Sequence, residues 1–335
     1  MASKSFLARC SLVLLAFLAG PATAYGPDGH HTVGAIADRL LVGTNAATQV
    51  AALLGTLTLE NSAVWADCAK GVNETTHKYV VNPIFAECAI YETPEGEAAM
   101  EDFVVRNDQQ CQPAPGDEIC HKGYHYTDIA IQHADYDTSL VGSRPTDIVG
   151  AIKAALIVLQ GGPSPSPFDF KDKREALLVL THYIGDVHQP LHVGAVYLNT
   201  AGRRINPDVG TYNPATFTRG GNQLLVGGFA KAKLHGEWDA VPAALTPSKV
   251  DGLAAAAKNI PLTSGGLPDW PQMWASETLK DAKKAFVGVK FGPKAGKTWN
   301  TTLPSGYTTK MTAIKTERLE KAGARLAQVL QTIWP

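Results

Sequence analysis

Asp172-Lys-Arg-Glu-Ala-Leu-Leu-Val-Leu-Thr-His182-Tyr-Ile-Gly-Asp186-Val-His188-Gln-Pro190-Leu-His192 is the stretch that decides how this chain folds. Asp172 with Glu175 three residues on forms the carboxylate-x-x-Glu pattern of a capping box, and the apolar run Leu177-Leu-Val-Leu180 follows directly. The spacing predicts a helix over 172–187 that ends before Pro190, because proline has no amide hydrogen to donate and its ring clashes with the preceding turn. On that helix His182 and Asp186 share one face, and His192 returns from the loop beyond the break. An imidazole and a carboxylate on one face, joined by a second imidazole after a kink, suit a borderline metal such as zinc.

A second His-x3-Asp follows in Leu234-His235-Gly-Glu-Trp-Asp239. One such pair is more often a helix cap or a surface ion pair than a metal site. Two copies, with the proline-kinked His192 between them, shift the balance to metal binding. Upstream, Gly29-His30, Trp65-Ala-Asp67 and Gly123-Tyr-His125-Tyr-Thr-Asp128 add imidazoles and carboxylates in aromatic surroundings. Each has a plain reading alone: a solvated terminal His, a core Trp beside a cap, a packed aromatic.

Around these motifs the chain reads as mainly α, one domain from Tyr25 to Pro335 with long irregular loops. Helical spacing recurs at Val33, Ile36, Ala37 and Leu40, at Ile148, Ala151, Ile152, Ala155 and Leu159, and at Leu319, Leu326, Leu330 and Ile333. Strand signals are confined to Tyr79-Val-Val-Asn82 and Leu224-Leu-Val226. Irregular insertions are expected over about 82–122, 197–219 and 288–307, either ordered by disulfides or shaping the mouth of a site.

Residues 1–24 read as a signal peptide: Lys4 and Arg9, the apolar run Ser11-Leu-Val-Leu-Leu-Ala-Phe-Leu18, then Ala22-Thr23-Ala24 at the cleavage point. Cleavage exposes Tyr25, and the expected location is secreted or periplasmic. The run is too short to span a bilayer and Cys10 lies upstream of it, so no membrane anchor is expected. Loss of Lys4 and Arg9 leaves 28 basic against 31 acidic residues, so no basic field attracts a polyanion and bound metal must supply the positive charge. Cys68, Cys88, Cys111 and Cys120 remain, an even count that reads as two disulfides in an exported chain. Their spacing suggests local pairing, although four cysteines allow three connectivities. Zinc ligation by these thiols is the weaker alternative, for want of a C-x2-C spacing. Asn73-Glu-Thr75 and Asn300-Thr-Thr302 fit glycosylation acceptors.

The ordered set Tyr25…His30, Trp65-Ala-Asp67, His125-Tyr-x-Asp128, His182-x3-Asp186-x5-His192 and His235-x3-Asp239 resembles the S1/P1 nuclease family over most of the chain. The resemblance implies a helical fold of the phospholipase C/P1 nuclease type with three zinc ions. It also implies cleavage of single-stranded DNA and RNA to 5′-mononucleotides, with 3′-nucleotidase activity, by a hydroxide bridging two of the metals. One zinc is then held by Asp67, His125, His182 and Asp186, with Asp186 bridging to a second bound by His30 and the terminal amine and carbonyl of Tyr25. The third takes His192, His235 and Asp239. The family usually starts with Trp; backbone ligands tolerate Tyr25 in its place.

The same resemblance makes Asp67 orient the nucleophile and places Lys70 where an Arg commonly neutralises the phosphoryl charge; Lys supplies the charge without the bidentate fork. Tyr126 matches a ring that stacks on a nucleobase and Asp128 a carboxylate that reads its edge, although core packing and a helix cap are the plain alternatives. Asn222, after Gly220-Gly221, resembles a residue beside the phosphate, but Thr218 stands where an acidic residue is usual. Partners are therefore single-stranded nucleic acid and nucleotides, acted on by a monomer. A zinc phospholipase C and an exported zinc-binding structural module are the rival readings. The first usually carries Glu in place of Asp239, and the second usually closes its metal with cysteine.

Overall fold

The computed structural model describes residues 25–110, 113, 118–227 and 232–335. The expected signal peptide, Cys10 and Cys111 lie outside the described residues. Among these residues the chain forms twelve α-helices and eight short strands, the mainly α architecture expected from the sequence.

The helix anticipated over 172–187 runs from Lys173 to His188 and occupies the centre of the fold. Asp172 caps it by accepting from Glu175 N at 2.9 Å. Glu175 reaches one residue further back than a standard box and accepts from Lys171 N at 2.9 Å. Every residue from Glu175 to His188 is buried, so the helix is enclosed on all sides and reads as apolar around most of its circumference. The Pro27–Leu41, Ile148–Leu159, Trp270–Ala285 and Tyr307–Ile333 helices surround it. Pro27 opens the first of these and the Asp147 side chain caps the second through Val149 N and Gly150 N. His188 points away from the metal motifs: its Nδ1 meets Ile184 O at 2.7 Å and its Nε2 accepts from Arg325 Nη1 at 2.8 Å.

Two loop expectations and one strand expectation need correction. The 82–122 region contains a 16-residue helix, Pro94–Gln109, capped by Thr93 and opened by a proline with Glu95 and Glu97 in its first turn. Its charged surface obscured the apolar stripe of Met100, Phe103 and Val104 that packs inward. The 288–307 region contains the hairpin Lys290–Ala295 and Thr298–Thr302, whose second strand pairs in parallel with Leu224–Val226 in a four-stranded sheet. The 197–219 region holds only a two-residue antiparallel pair, Tyr197–Leu198 with Arg204–Ile205, and a short 3-10 turn. Tyr79–Asn82 is not a strand, since Tyr79 makes only an isolated bridge to Val72.

Cys68 is bonded to Cys88, one of the local pairs the spacing suggested. Cys120 is also disulfide-bonded. No helix among the described residues is long and apolar enough to cross a membrane.

Candidate metal centre

Helix periodicity and two chain crossings bring the motifs together. His182 and Asp186 project from the central helix, and Pro190 starts the 3-10 turn Pro190–His192 that folds His192 back beside them. His235 and Asp239 share a face of the short Leu234–Asp239 helix, as the spacing predicts. The parallel pair Ile129–Ala130 with Gly194–Ala195 extends through Thr127 N to His192 O at 2.8 Å, which fixes His125 and Asp128 against His192. Asp67 comes from the Trp65–Ala69 helix, tied down by the Cys68–Cys88 bond.

Three clusters result, each with candidate donor atoms within 4.8 Å of one another: His30, Asp67 and His182; His125, His182 and Asp186; His192, His235 and Asp239. The carboxylate of Asp186 spans two of them. Its Oδ2 lies 2.9 Å from His125 Nδ1 and 3.0 Å from His182 Nε2, while its Oδ1 is 3.3 Å from His30 Nε2. His30 stacks on His182 with ring centroids 3.8 Å apart. Gly185 makes room for this: a Cβ there would sit 2.9 Å from His30 Nδ1. Tyr25 is fully buried at the edge of the cluster, its ring 6.4 Å from that of His30, and Gly26 N donates to Asp239 O at 2.8 Å.

Whether this donor set fits a cation is decided by where the imidazole hydrogens must be. Nδ1 of His182 meets Ala63 O at 2.6 Å, Nδ1 of His192 meets His125 O at 2.8 Å, and Nδ1 of His235 meets Gly220 O at 2.7 Å. A carbonyl only accepts, so each Nδ1 carries the hydrogen and each neutral ring presents a bare Nε2. His192 Nε2 and His235 Nε2 then face each other at 3.1 Å, whereas at His182 burial acts to lower the ring's pKa but Asp186 and Asp67 together raise it, so its Nε2 can instead pair with the Asp186 carboxylate as a protonated donor. Lone pairs converging at that distance repel unless a proton or a metal cation lies between them. Both ring nitrogens of His30, Asp186 Oδ1 and Asp239 Oδ2 are likewise buried without hydrogen-bond partners. Backbone carbonyls orienting the rings, and Gln189 Nε2 donating to Asp239 Oδ1 at 2.7 Å, are the outer supports expected of metal ligands. The residues fit a divalent cation.

The electrostatics agree. Burial, reinforced by His182, lowers His30 to about 4, and burial with His192 lowers His235 to about 3, so both rings are neutral and able to ligate at neutral pH. Burial is the largest influence on Asp186 and Asp67 and acts to raise both, but His182, His192 and His125 together outweigh it at Asp186, and Lys70 with His182, His125 and His30 outweighs it at Asp67, so both carboxyls are held low. Asp239 is pushed well up by burial, with Asp186 and Asp67 adding to it and Gln189 and Lys315 pulling less strongly the other way.

A cleft of about 370 Å³ opens beside this centre, lined among others by Lys70, His125, Tyr126, Asp128, His192, Arg219, Asn222 and His235. Tyr126 is half-buried with the Arg144 guanidinium 4.8 Å from its ring centroid, so it is not core packing. Asp128 caps no helix; its Oδ1 is buried without a hydrogen-bond partner, and burial raises the carboxyl to about 7 against the opposing pull of Arg144. Lys70 Nζ lies 2.6 Å from Asp67 Oδ1. Thr218 is buried and its hydroxyl donates to Val196 O at 2.6 Å. The sequence did not single out Gln189, Arg144 or Arg219. Gln189 sits between His188 and Pro190, and Arg219 between Thr218 and Gly220, so both were within the segments already singled out; Arg144 meets the Tyr126 ring from a loop that no spacing connects to it.

The sequence matches the S1/P1 Nuclease family across residues 25–335. The chain belongs to the S1/P1 nuclease family. Among its relatives, Endonuclease 5 of Arabidopsis thaliana is 31% identical over 181 residues, 48% of this chain and 51% of that protein. Endonuclease 1 of the same plant is 27% identical over 235 residues, 63% of this chain and 68% of that protein. The chain thus spans about half the length of Endonuclease 5. For an S1/P1 nuclease, a metal-dependent class, three neighbouring His/Asp clusters, two of which border the cleft through His125, His192 and His235, are the expected working parts.

Proposed function

We propose that this chain is an exported zinc-dependent phosphodiesterase that hydrolyses single-stranded DNA and RNA to 5′-mononucleotides and removes the phosphate of nucleoside 3′-phosphates. The observation that carries the reading is the pair of bare Nε2 atoms of His192 and His235 at the base of a cleft whose side wall is Tyr126 and Asp128. Metal ligands and a base-sized aromatic wall in one cleft suit a nucleotide phosphate better than a choline head group.

Zinc held by these three clusters would supply positive charge to the phosphate oxygens and lower the pKa of water. Asp67, kept ionised by Lys70 and the neighbouring histidines, orients the attacking water. Lys70 neutralises a non-bridging phosphate oxygen as a point charge. Tyr126 offers one ring face to an unpaired base while Arg144 backs it, and Asp128 meets the base edge; a base inside a duplex offers no free face, which selects single strands. Asn222 lies in the same cleft, where its amide can reach the phosphate. Signal-peptide removal at Ala24 leaves Tyr25 as the first residue, with its amine completing the His30 site.

The purified chain assayed on single-stranded DNA, nucleoside 3′-phosphates and phosphatidylcholine tests the reading. Turnover of the first two, abolished by a chelator and restored by zinc, is expected. Lipid cleavage without nuclease activity would transfer the site to a phospholipase C, and one inert zinc per chain would make it structural.

A further inference from the structure

A second cavity, of about 460 Å³, lies on the other side of Lys70 from the Tyr126 cleft. Lys70, Glu118 and Lys122 line both, so the two are neighbours across a shared wall. Asp67 also borders the second cavity, which places it against the metal centre. Its base is the Cys68–Cys88 bond, which joins the helix carrying Asp67 and Lys70 to the segment that forms the opposite wall.

That wall is aromatic and apolar. The Tyr79 ring sits against Gly71, where a Cβ would come within 2.8 Å of Cε2, so only glycine admits the ring. Tyr79 is held at two further points: its hydroxyl donates to Glu92 at 3.1 Å and its backbone N to Glu101 at 2.9 Å. Phe85 is half-buried beside it, and Val80 is 55% exposed. Asn82 and Glu87 give this wall a polar edge, and burial raises the Glu87 carboxyl.

A phosphodiester joins two nucleosides, and the Tyr126 cleft accounts for one. We propose that the second cavity binds the nucleoside on the opposite side of the scissile phosphate, with its base against Tyr79 and Phe85 and its edge met by Asn82 and Glu87. The subsite rests on the phosphodiesterase reading and deepens it. Lys70 and Lys122 stand between the cavities, where the linking phosphate passes. A nucleoside 3′-phosphate fills only the Tyr126 side, whereas a dinucleotide fills both, so the two substrates depend differently on this wall.

The test compares kcat/KM on a dinucleoside monophosphate, on the same compound lacking the base on its 5′-oxygen side, and on a nucleoside 3′-phosphate. Stacking on an aromatic side chain makes the missing base cost about tenfold in the unaltered chain. Phe85→Ala is expected to erase that difference and to lower the dinucleotide-to-mononucleotide ratio by about tenfold. Val80→Asp, at an exposed position, gives the same readout if Phe85→Ala does not fold. Variants that keep the original base-versus-abasic ratio overturn the subsite while leaving the phosphodiesterase reading intact. Failure of the unaltered chain to hydrolyse any of the three compounds overturns that reading, and the subsite with it.

Discussion

His192 Nε2 and His235 Nε2 face each other at 3.1 Å, and each ring has already given its Nδ1 hydrogen to a backbone carbonyl. Two lone pairs are thus fixed in mutual opposition by main chain that cannot move away cheaply. His235→Ala is therefore expected to cost one metal per chain, measured by elemental analysis. The metal's share of transition-state stabilisation is several kcal/mol, so kcat should fall on the order of a hundredfold or more.

Gln189, not itself a member of any cluster, donates to Asp239 Oδ1 at 2.7 Å. Gln189→Ala should leave the chain folded by circular dichroism but weaken retention of the His192–His235–Asp239 metal by about 10–100-fold in a chelator competition. Unchanged retention would remove Gln189 from the support of the site.

Gly185→Ala tests how closely the central helix and His30 fit. The new Cβ would lie 2.9 Å from His30 Nδ1, on a fully buried helix face. Overpacking of this kind costs about 1–3 kcal/mol, and His30 must shift away from Asp186. Thermal melts and metal content should both fall; a normal metal content would show that His30 is not needed where it stands.

Asp128 supplies a pH dependence whose sign can be worked out. Burial raises its folded pKa to about 7, above the ordinary carboxyl value of 3.8, so between these values the folded state binds more protons than the unfolded. Its contribution to stability is therefore present at low pH and lost as the pH rises through about 7. In the cleft, the neutral acid can donate and accept, whereas the carboxylate only accepts. KM for a guanine substrate, whose edge offers two N–H donors, should fall as the pH passes about 7, and Asp128→Asn should flatten that profile.

Tyr25 carries the expectation that depends on export. A chain with one extra residue before Tyr25 should lose zinc from the His30 cluster and lose activity relative to one starting at Tyr25. Equal zinc and equal activity in both preparations would exclude the terminal amine as a ligand.

Much of the centre was legible because helical spacing is local. His182 with Asp186 and His235 with Asp239 each lie four residues apart, and Pro190 announces the turn that returns His192. The convergence of His30 and Asp67 on His182 was not readable from spacing, since it depends on helix packing that only the family resemblance supplied. The hairpin over 290–302 was missed because its sequence, Lys-Phe-Gly-Pro-Lys-Ala before the turn, lacks β-branched residues and contains Pro293. The Pro94–Gln109 helix was missed because its charged residues outnumber the stripe it buries. Arg144 reached Tyr126 by tertiary packing alone.

The most direct measurement is zinc content per chain in the purified Tyr25–Pro335 protein, taken alongside its rate on single-stranded DNA during stepwise chelation and reloading. Three zinc ions per chain are expected, with activity lost as they are removed and regained as they return. Full nuclease activity with one zinc or none would contradict a trinuclear centre.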